Sequence, residues 1–249
     1  MSESASQQRF PRLYPIVDAA LLAARGVETL RFAEELRAAE VELLQYRNKA
    51  GGPQEVLRNA VLIREVMVGS GCRLIMNDRA DLAVLAEWGG VHVGQGDLSP
   101  EDAKAVVLRT MPTHRMKQGR DEWGTRIVPG SGLDFRSGLD FRSGLWVGVS
   151  THTEEQVRVA DASCADYVAV GPVFATGSKL DAEPVIGLDG VLRARALTKK
   201  PIVAIGGITR ANARSVIDAG ADSVAVIGAL FVEGETVEKV VRDFLEILR

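Results

Sequence analysis

No run in the 249 residues reaches the roughly 18 apolar positions of a membrane-spanning helix, so no membrane partner is expected. The start MSESASQQRFPR lacks the apolar centre of a secretory signal, which leaves a cytoplasmic address as the expectation. Cysteine is scarce. Cys72 and Cys164 stand far apart with no CxxC pair, which argues against a disulfide framework and a cysteine metal site and leaves two buried thiols. The three histidines, His92, His114 and His152, have no ligand spacing, so zinc is not expected. A basic excess is also missing. With 30 Lys and Arg against 33 Asp and Glu the formal charge is -3, and the aromatics form no stacking pattern, so nucleic acid is not an expected partner. Neither a GxSxG elbow nor a GxGxxG fingerprint occurs, which counts against hydrolase and nicotinamide chemistry.

What is present is apolar residue, at 46% enough for a sizeable core, in a repeating order. Eight short Val/Ile/Leu-rich runs read as strands: Leu13 to Asp18, Glu42 to Arg47, Arg73 to Asp78, Val91 to Gln95, Trp146 to Ser150, Tyr167 to Phe174, Ile202 to Gly207 and Ser223 to Gly228. Between them TLRFAEELRAA, PQEVLRNAVLIREVM, TEEQVRVADA, RANARSVIDAG and VEKVVRDFLEIL carry apolar residues at three- and four-residue spacing. Continuous apolar strands alternating with amphipathic helices mark a parallel sheet. Eight such units in this length predict a single-domain (β/α)8 barrel rather than a doubly wound sheet. The expected layout is a flexible segment 1–12 and a barrel over 13–249, interrupted by an inserted glycine-rich loop at 110–144. That segment contains a tandem SGLDFR and six glycines, with no strand or helix period.

In such barrels reactive groups sit where strands end, and here the strand ends are polar. On the second, Gln45, Arg47 and Lys49 share one face with Val41 and Leu43. Three donors on a face that starts apolar need an acceptor, and a bound diphosphate would satisfy them; a solvated strand end paired to neighbouring helices is the other reading. The third strand ends in Asn77, Asp78 and Arg79, the fourth in Gln95 and Asp97, and the fifth in Ser150, Thr151 and His152. Asp78 and Asp97 beside a diphosphate suit Mg2+, which takes one or two protein carboxylates and completes its shell with phosphate oxygens and water. A helix cap for Asp78 and a loop ion pair for Asp97 are the plainer alternatives. His92 reads as a satisfied barrel residue, whereas His152 stays open between structure and function. Strand six runs into GPVFATGSKLD, with Thr176, Ser178 and Lys179. Strands seven and eight end in Gly206-Gly207 and Ile227-Gly228-Ala229, where glycine lets backbone N–H groups approach an anion.

From Leu13 to about Leu230 the segments QYRNK, MNDRADLA, GVHVGQGDL, VGVSTHT, DYVAVGPVFATGSKLD, AIGGI and AGADSVAVIGAL resemble, in order, those of the thiamine-phosphate synthase family. The resemblance implies a transferase that joins 4-amino-5-hydroxymethyl-2-methylpyrimidine diphosphate to 4-methyl-5-(2-hydroxyethyl)thiazole phosphate, releasing pyrophosphate. It implies pyrimidine-diphosphate contacts at Gln45, Arg47, Lys49, Asn77, Ser150 and Lys179, and Mg2+ ligands at Asp78 and Asp97. Thr176, Ser178 and Gly207, with Ile227 and Gly228, would hold the thiazole phosphate. Arg47, Lys49, Lys179 and Ser150 would carry the chemistry. Ser178 stands where threonine is common in the family, Leu180 where a second lysine is common and Gly228 where serine is frequent, which touches phosphate affinity more than reaction type. A related thiazole tautomerase and a non-catalytic phosphate-binding barrel are the competing functions. Each could dispense with the paired carboxylates. Assembly into a homo-oligomer stays open.

Overall fold

A computed structural model describes residues 9–110, 145–176 and 184–249. The expected SGLDFR insert and residues 1–8 and 177–183 lie outside the described residues. The eight strands are β1 (Leu13–Asp18), β2 (Leu43–Arg47), β3 (Arg73–Asn77), β4 (Gly90–Val93), β5 (Trp146–Thr151), β6 (Tyr167–Val170), β7 (Ile202–Ile205) and β8 (Ser223–Val226). Each pairs in parallel with the next, and β8 pairs with β1, so the barrel closes in chain order. The helices are α1 (Ala19–Ala24), α2 (Thr29–Ala38), α3 (Pro53–Met67), α4 (Ala80–Leu85), α5 (Pro100–Thr110), α6 (Glu154–Ala162), α7 (Gly187–Leu197), α8 (Ala213–Asp218) and α9 (Val237–Ile247).

Side-chain alternation explains why these runs close into a barrel. Val17, Leu44, Tyr46, Met76, Val91, Val147, Val168 and Val224 face the helices and join the main core with Phe32, Ile63, Trp88 and Phe244. Their neighbours Tyr14, Ile16, Leu43, Ile75, Tyr167, Ala169, Val203 and Ala225 form a second, smaller cluster inside. The lumen cannot hold eight large side chains in one layer, so glycine makes room. A Cβ on Gly148 would lie 2.0 Å from Tyr167 Cζ and 2.4 Å from its hydroxyl. Gly148→Ala is therefore an overpacking change, expected to lower stability by about 1–3 kcal/mol in a urea titration. An unchanged midpoint would mean that the Tyr167 ring can retreat.

Three expectations are corrected. The sixth strand was read through Phe174 but ends at Val170, because Pro172 has no N–H to give the ladder. The chain still runs beside β7, with Val173 N and Phe174 N donating to Ile205 O (2.9 Å) and Gly206 O (3.0 Å). At the other end, packing begins before Leu13. Phe10 stacks on Trp146 with centroids 5.1 Å apart, Arg73 covers the Trp146 ring at 4.2 Å, and Arg12 donates to Asp222 O at 3.1 Å. These residues plug the floor of the barrel, so of the expected leader 1–12 at least Phe10 and Arg12 are held. Cys72 and Cys164 are half-buried rather than buried. None of the described helices is long and apolar enough to cross a membrane.

Candidate active site

At the carboxyl ends of the strands the inward-facing side chains change from apolar to polar. On β1 the face Tyr14, Ile16 ends in Asp18, which is 8% exposed. Its Oδ1 accepts from Leu21 N at 3.0 Å, capping α1, and its Oδ2 accepts from Arg47. On β2 Gln45 is buried and its Nε2 donates to the Tyr14 hydroxyl at 3.0 Å. Beyond the strand Lys49 Nζ lies 3.1 Å from Asp78 Oδ2. The two cations thus have internal partners, Asp18 and Asp78. The alternative reading placed their partners on neighbouring helices; the acceptors come instead from Asp18 on β1 and Asp78 after β3.

Asp78 follows β3 with a left-handed φ of 61° and donates its N–H to His92 O at 2.7 Å. Burial and then the facing Asp97 carboxylate push the Asp78 carboxyl above its ordinary range, while Lys49 pulls the other way. Asp97 is fixed in the turn after β4, where its Oδ2 accepts from Gly94 N at 2.8 Å. A cation beside the Asp78 carboxylate, as Lys49 is here, offsets that push and favours its charged form. The plainer reading of Asp78 is corrected, since it caps no helix and α4 has Arg79 at its cap; the ion pair expected of Asp97 falls instead to Asp78, which meets Lys49. Asn77 stands half-buried at the end of β3 in the same mouth.

Across the barrel Ser150 Oγ lies 2.8 Å from His92 Nε2, and Gln95 Nε2 donates to Ser150 O at 2.6 Å. His152, which stood open, is structural: its Nδ1 donates to Gly171 O at 2.8 Å, tying β5 to the turn after β6. On β7 and β8 the backbone forms the rim. Gly206 and Gly207 have φ of 103° and 64°, and a Cβ on Gly207 would lie 2.5 Å from Ala175 O, so only glycine fits there. Ile227 precedes a single 3-10 turn, Gly228–Leu230.

The loops bearing these glycines are clamped from outside. Arg210 donates to both Glu235 oxygens at 2.6 and 3.0 Å and to Asp243, and Lys239 bridges the same two carboxylates at 2.6 and 2.9 Å. Arg210, then Lys239, hold the Glu235 carboxyl down at about 2. A carboxyl depressed on folding stabilises fully above its unfolded pKa, roughly 4.3, and loses that contribution as pH falls through the folded value. Glu235→Gln should therefore lower the urea midpoint at pH 7, with the gap to the parent closing as the pH approaches 2. A gap of constant size would assign the loss to packing.

Clefts of about 210 Å³ between α6 and α7 and about 630 Å³ at the barrel floor carry neither the strand-end cations nor the paired carboxylates. Chemistry, not volume, therefore marks the mouth. The family profile described as "Thiamine monophosphate synthase" matches residues 13–111 and 139–230, a span that includes all eight strands and so the whole mouth.

The chain belongs to the thiamine-phosphate synthase family.

A thiamine-phosphate synthase of Koribacter versatilis (strain Ellin345) is 45% identical over 98% of this chain and 99% of its own. That of Methanoregula boonei is 36% identical over 88% of this chain and 84% of its own. The solved thiamine phosphate pyrophosphorylase from Pyrococcus furiosus superposes with a TM-score of 0.72 at 26% identity, covering 95% of both chains. As a thiamine-phosphate synthase the protein is a transferase acting on small molecules. Of its expected site residues, Gln45, Arg47, Lys49, Asn77, Asp78, Asp97, Ser150, Gly207, Ile227 and Gly228 come together around one mouth. Thr176 sits on the descending loop after β6, while Ser178, Lys179 and Leu180 lie outside the described residues. Asp18 was missed, although the period of two from Tyr14 and Ile16 leads to it.

Proposed function

We propose that the thiamine-phosphate synthase reaction of this chain takes place in the β1–β5 half of the mouth, with the β6–β8 rim holding the second substrate. The observation that supports this most is the juxtaposition of Asp78 and Asp97 with Arg47 and Lys49 on adjoining strands. Paired carboxylates, one with a raised pKa, fit a divalent cation, and Asp78 and Asp97 would hold Mg2+ here. Bound there, Mg2+ would neutralise the diphosphate and make it a better leaving group.

The chain's own residues do the rest. Arg47 offers a fork to phosphate oxygens and Lys49 a point charge, with Lys179 in the same role from the loop after β6. Gln45, Asn77 and Ser150 hold the pyrimidine side, while Thr176, Ser178, Gly207 and the backbone at Ile227 and Gly228 hold the thiazole phosphate. The thiazole nitrogen attacks through its lone pair and loses no proton, so no strong base is needed. The carbon–oxygen bond to the diphosphate breaks well ahead of carbon–nitrogen bond formation, a largely dissociative path, because an aminopyrimidine delocalises positive charge at its exocyclic carbon. Cations aimed at the departing anion are what lower such a barrier. Phosphorylated small molecules as substrates and a cytoplasmic setting go with this reading. Incubation with both substrates while titrating Mg2+ tests it: thiamine phosphate and pyrophosphate should appear in equal amounts and only with the metal. Full turnover in a chelator would overturn the metal assignment, and turnover of the thiazole alone would favour the tautomerase.

A further inference from the structure

A chain of side-chain hydrogen bonds crosses the lumen beneath the mouth. Gln45 Nε2 donates to Tyr14 Oη (3.0 Å), Tyr14 Oη lies 2.9 Å from Tyr167 Oη, Tyr167 Oη lies 3.0 Å from His92 Nδ1, and His92 Nε2 lies 2.8 Å from Ser150 Oγ. Tyr14, Tyr167 and His92 have relative exposures of 1%, 0% and 7%, so water does not compete for these bonds.

A phenol has a single proton to give, and this sets the direction of the chain. Tyr14 receives the Gln45 amide proton. If its own proton did not go to Tyr167 it would have no other acceptor among the described residues, leaving a buried O–H unpaired. Tyr167, having accepted from Tyr14, donates to His92 Nδ1. The imidazole then carries its proton on Nε2 and donates to Ser150 Oγ, whose own proton is left for the ligand. Burial raises the pKa of both phenols well above the ordinary value, so neither gives up its proton at neutral pH.

We propose that Tyr14, Tyr167 and His92 are positioning residues for the synthase reaction: they hold His92 in its neutral Nε2–H form and so make Ser150 a hydrogen-bond donor, selecting a substrate atom that accepts. The inference rests on the reading of Ser150 as a substrate contact. It explains why two buried tyrosines face each other inside the lumen, where phenylalanine would fill the same space without a polar atom to satisfy.

The direct test is nitrogen-15 NMR of histidine-labelled protein, with the His92 signals identified by their loss in His92→Gln. His92 should show a protonated Nε2 and a bare Nδ1 at neutral pH, and Tyr167→Phe should turn it into a mixture of tautomers, a change that lost packing alone would not produce. In the assay with both substrates, Tyr167→Phe should lower kcat by about ten- to a hundredfold, as loss of partners that orient a ligand does elsewhere, with KM for the thiazole phosphate unchanged. In a Ser150→Ala background the same substitution should cost about twofold or less, since the two act through one contact. His92 protonated on Nδ1 in the unaltered protein overturns the proposal whether or not Tyr167→Phe folds. So does an equal loss from Tyr167→Phe with and without Ser150. Native turnover by Ser150→Ala would instead overturn the reading of Ser150 itself, and the proposal with it.

Discussion

Asp78→Asn is expected to lower turnover by roughly a hundred- to a thousandfold while leaving the fold intact. The choice of asparagine follows from the backbone. Asp78 sits at φ 61°, a region in which asparagine is tolerated and alanine is strained, so an alanine variant would mix backbone cost with loss of charge. Asparagine keeps the shape and removes one of two facing carboxylates. Its effect should be matched by Asp97→Asn and by a chelator, and the double variant should lose little more than either single one, because a metal site with one carboxylate gone is already disabled. The melting temperature serves as the control. Removing a carboxylate whose pKa burial has raised takes away an unfavourable buried charge, so the metal-free variant should melt no lower than the metal-free parent at neutral pH. A variant that turns over normally with Mg2+ would show that these carboxylates are an ion-pair device for Lys49 and nothing more.

Arg47→Ala should produce a loss of similar size, roughly a hundredfold or more in kcat/KM, and Arg47→Lys should recover little of it. The reason is the grip of Asp18. That carboxylate holds Arg47 with one oxygen and caps α1 with the other, so the guanidinium is fixed at the end of β2 with further N–H donors to give. Lysine offers a point charge on a flexible stem and cannot divide itself between Asp18 and a phosphate. Asp18→Asn distinguishes the two duties of that residue. It should retain the cap on Leu21 while loosening Arg47, so KM for the pyrimidine diphosphate should rise with a small change in stability. If Arg47→Ala leaves the kinetics with that substrate unchanged, the ion pair to Asp18 is structural and the diphosphate lies elsewhere.

The barrel was legible because parallel strands buried on both faces read as unbroken apolar runs, and LYPIVD, WVGVS and SVAVIG could hardly be anything else. The polar strand ends were legible for the same reason, since Gln45 and Arg47 break the pattern of Val41 and Leu43. Asp18 is less legible, because cations at a strand end read as seeking an outside acceptor, while the acceptor for Arg47 stands on the adjoining strand. The lumen relay could not be read at all. Tyr14 and Tyr167 lie 153 residues apart, and His92 and Tyr167 lie 75 apart, so only closure of the sheet makes them partners. The early end of β6 was written in Pro172, whose missing N–H should have carried more weight than the apolar Val173 and Phe174 beyond it.

Closure between β1 and β8 also bears on how the chain is made. Arg12 and Asp222, bonded across that seam, are 210 residues apart, and β1 has no second neighbour until β8 exists. At roughly 5–20 residues per second of synthesis, one edge of the first strand waits on the order of 10 to 40 s for its partner. During that interval a newborn barrel offers an open edge of unpaired backbone to every other nascent chain nearby. The risk of misassembly is therefore concentrated before the last strand leaves the ribosome, and a chain stalled or cut short of Ser223 should accumulate as aggregate even though seven of its eight strands are complete.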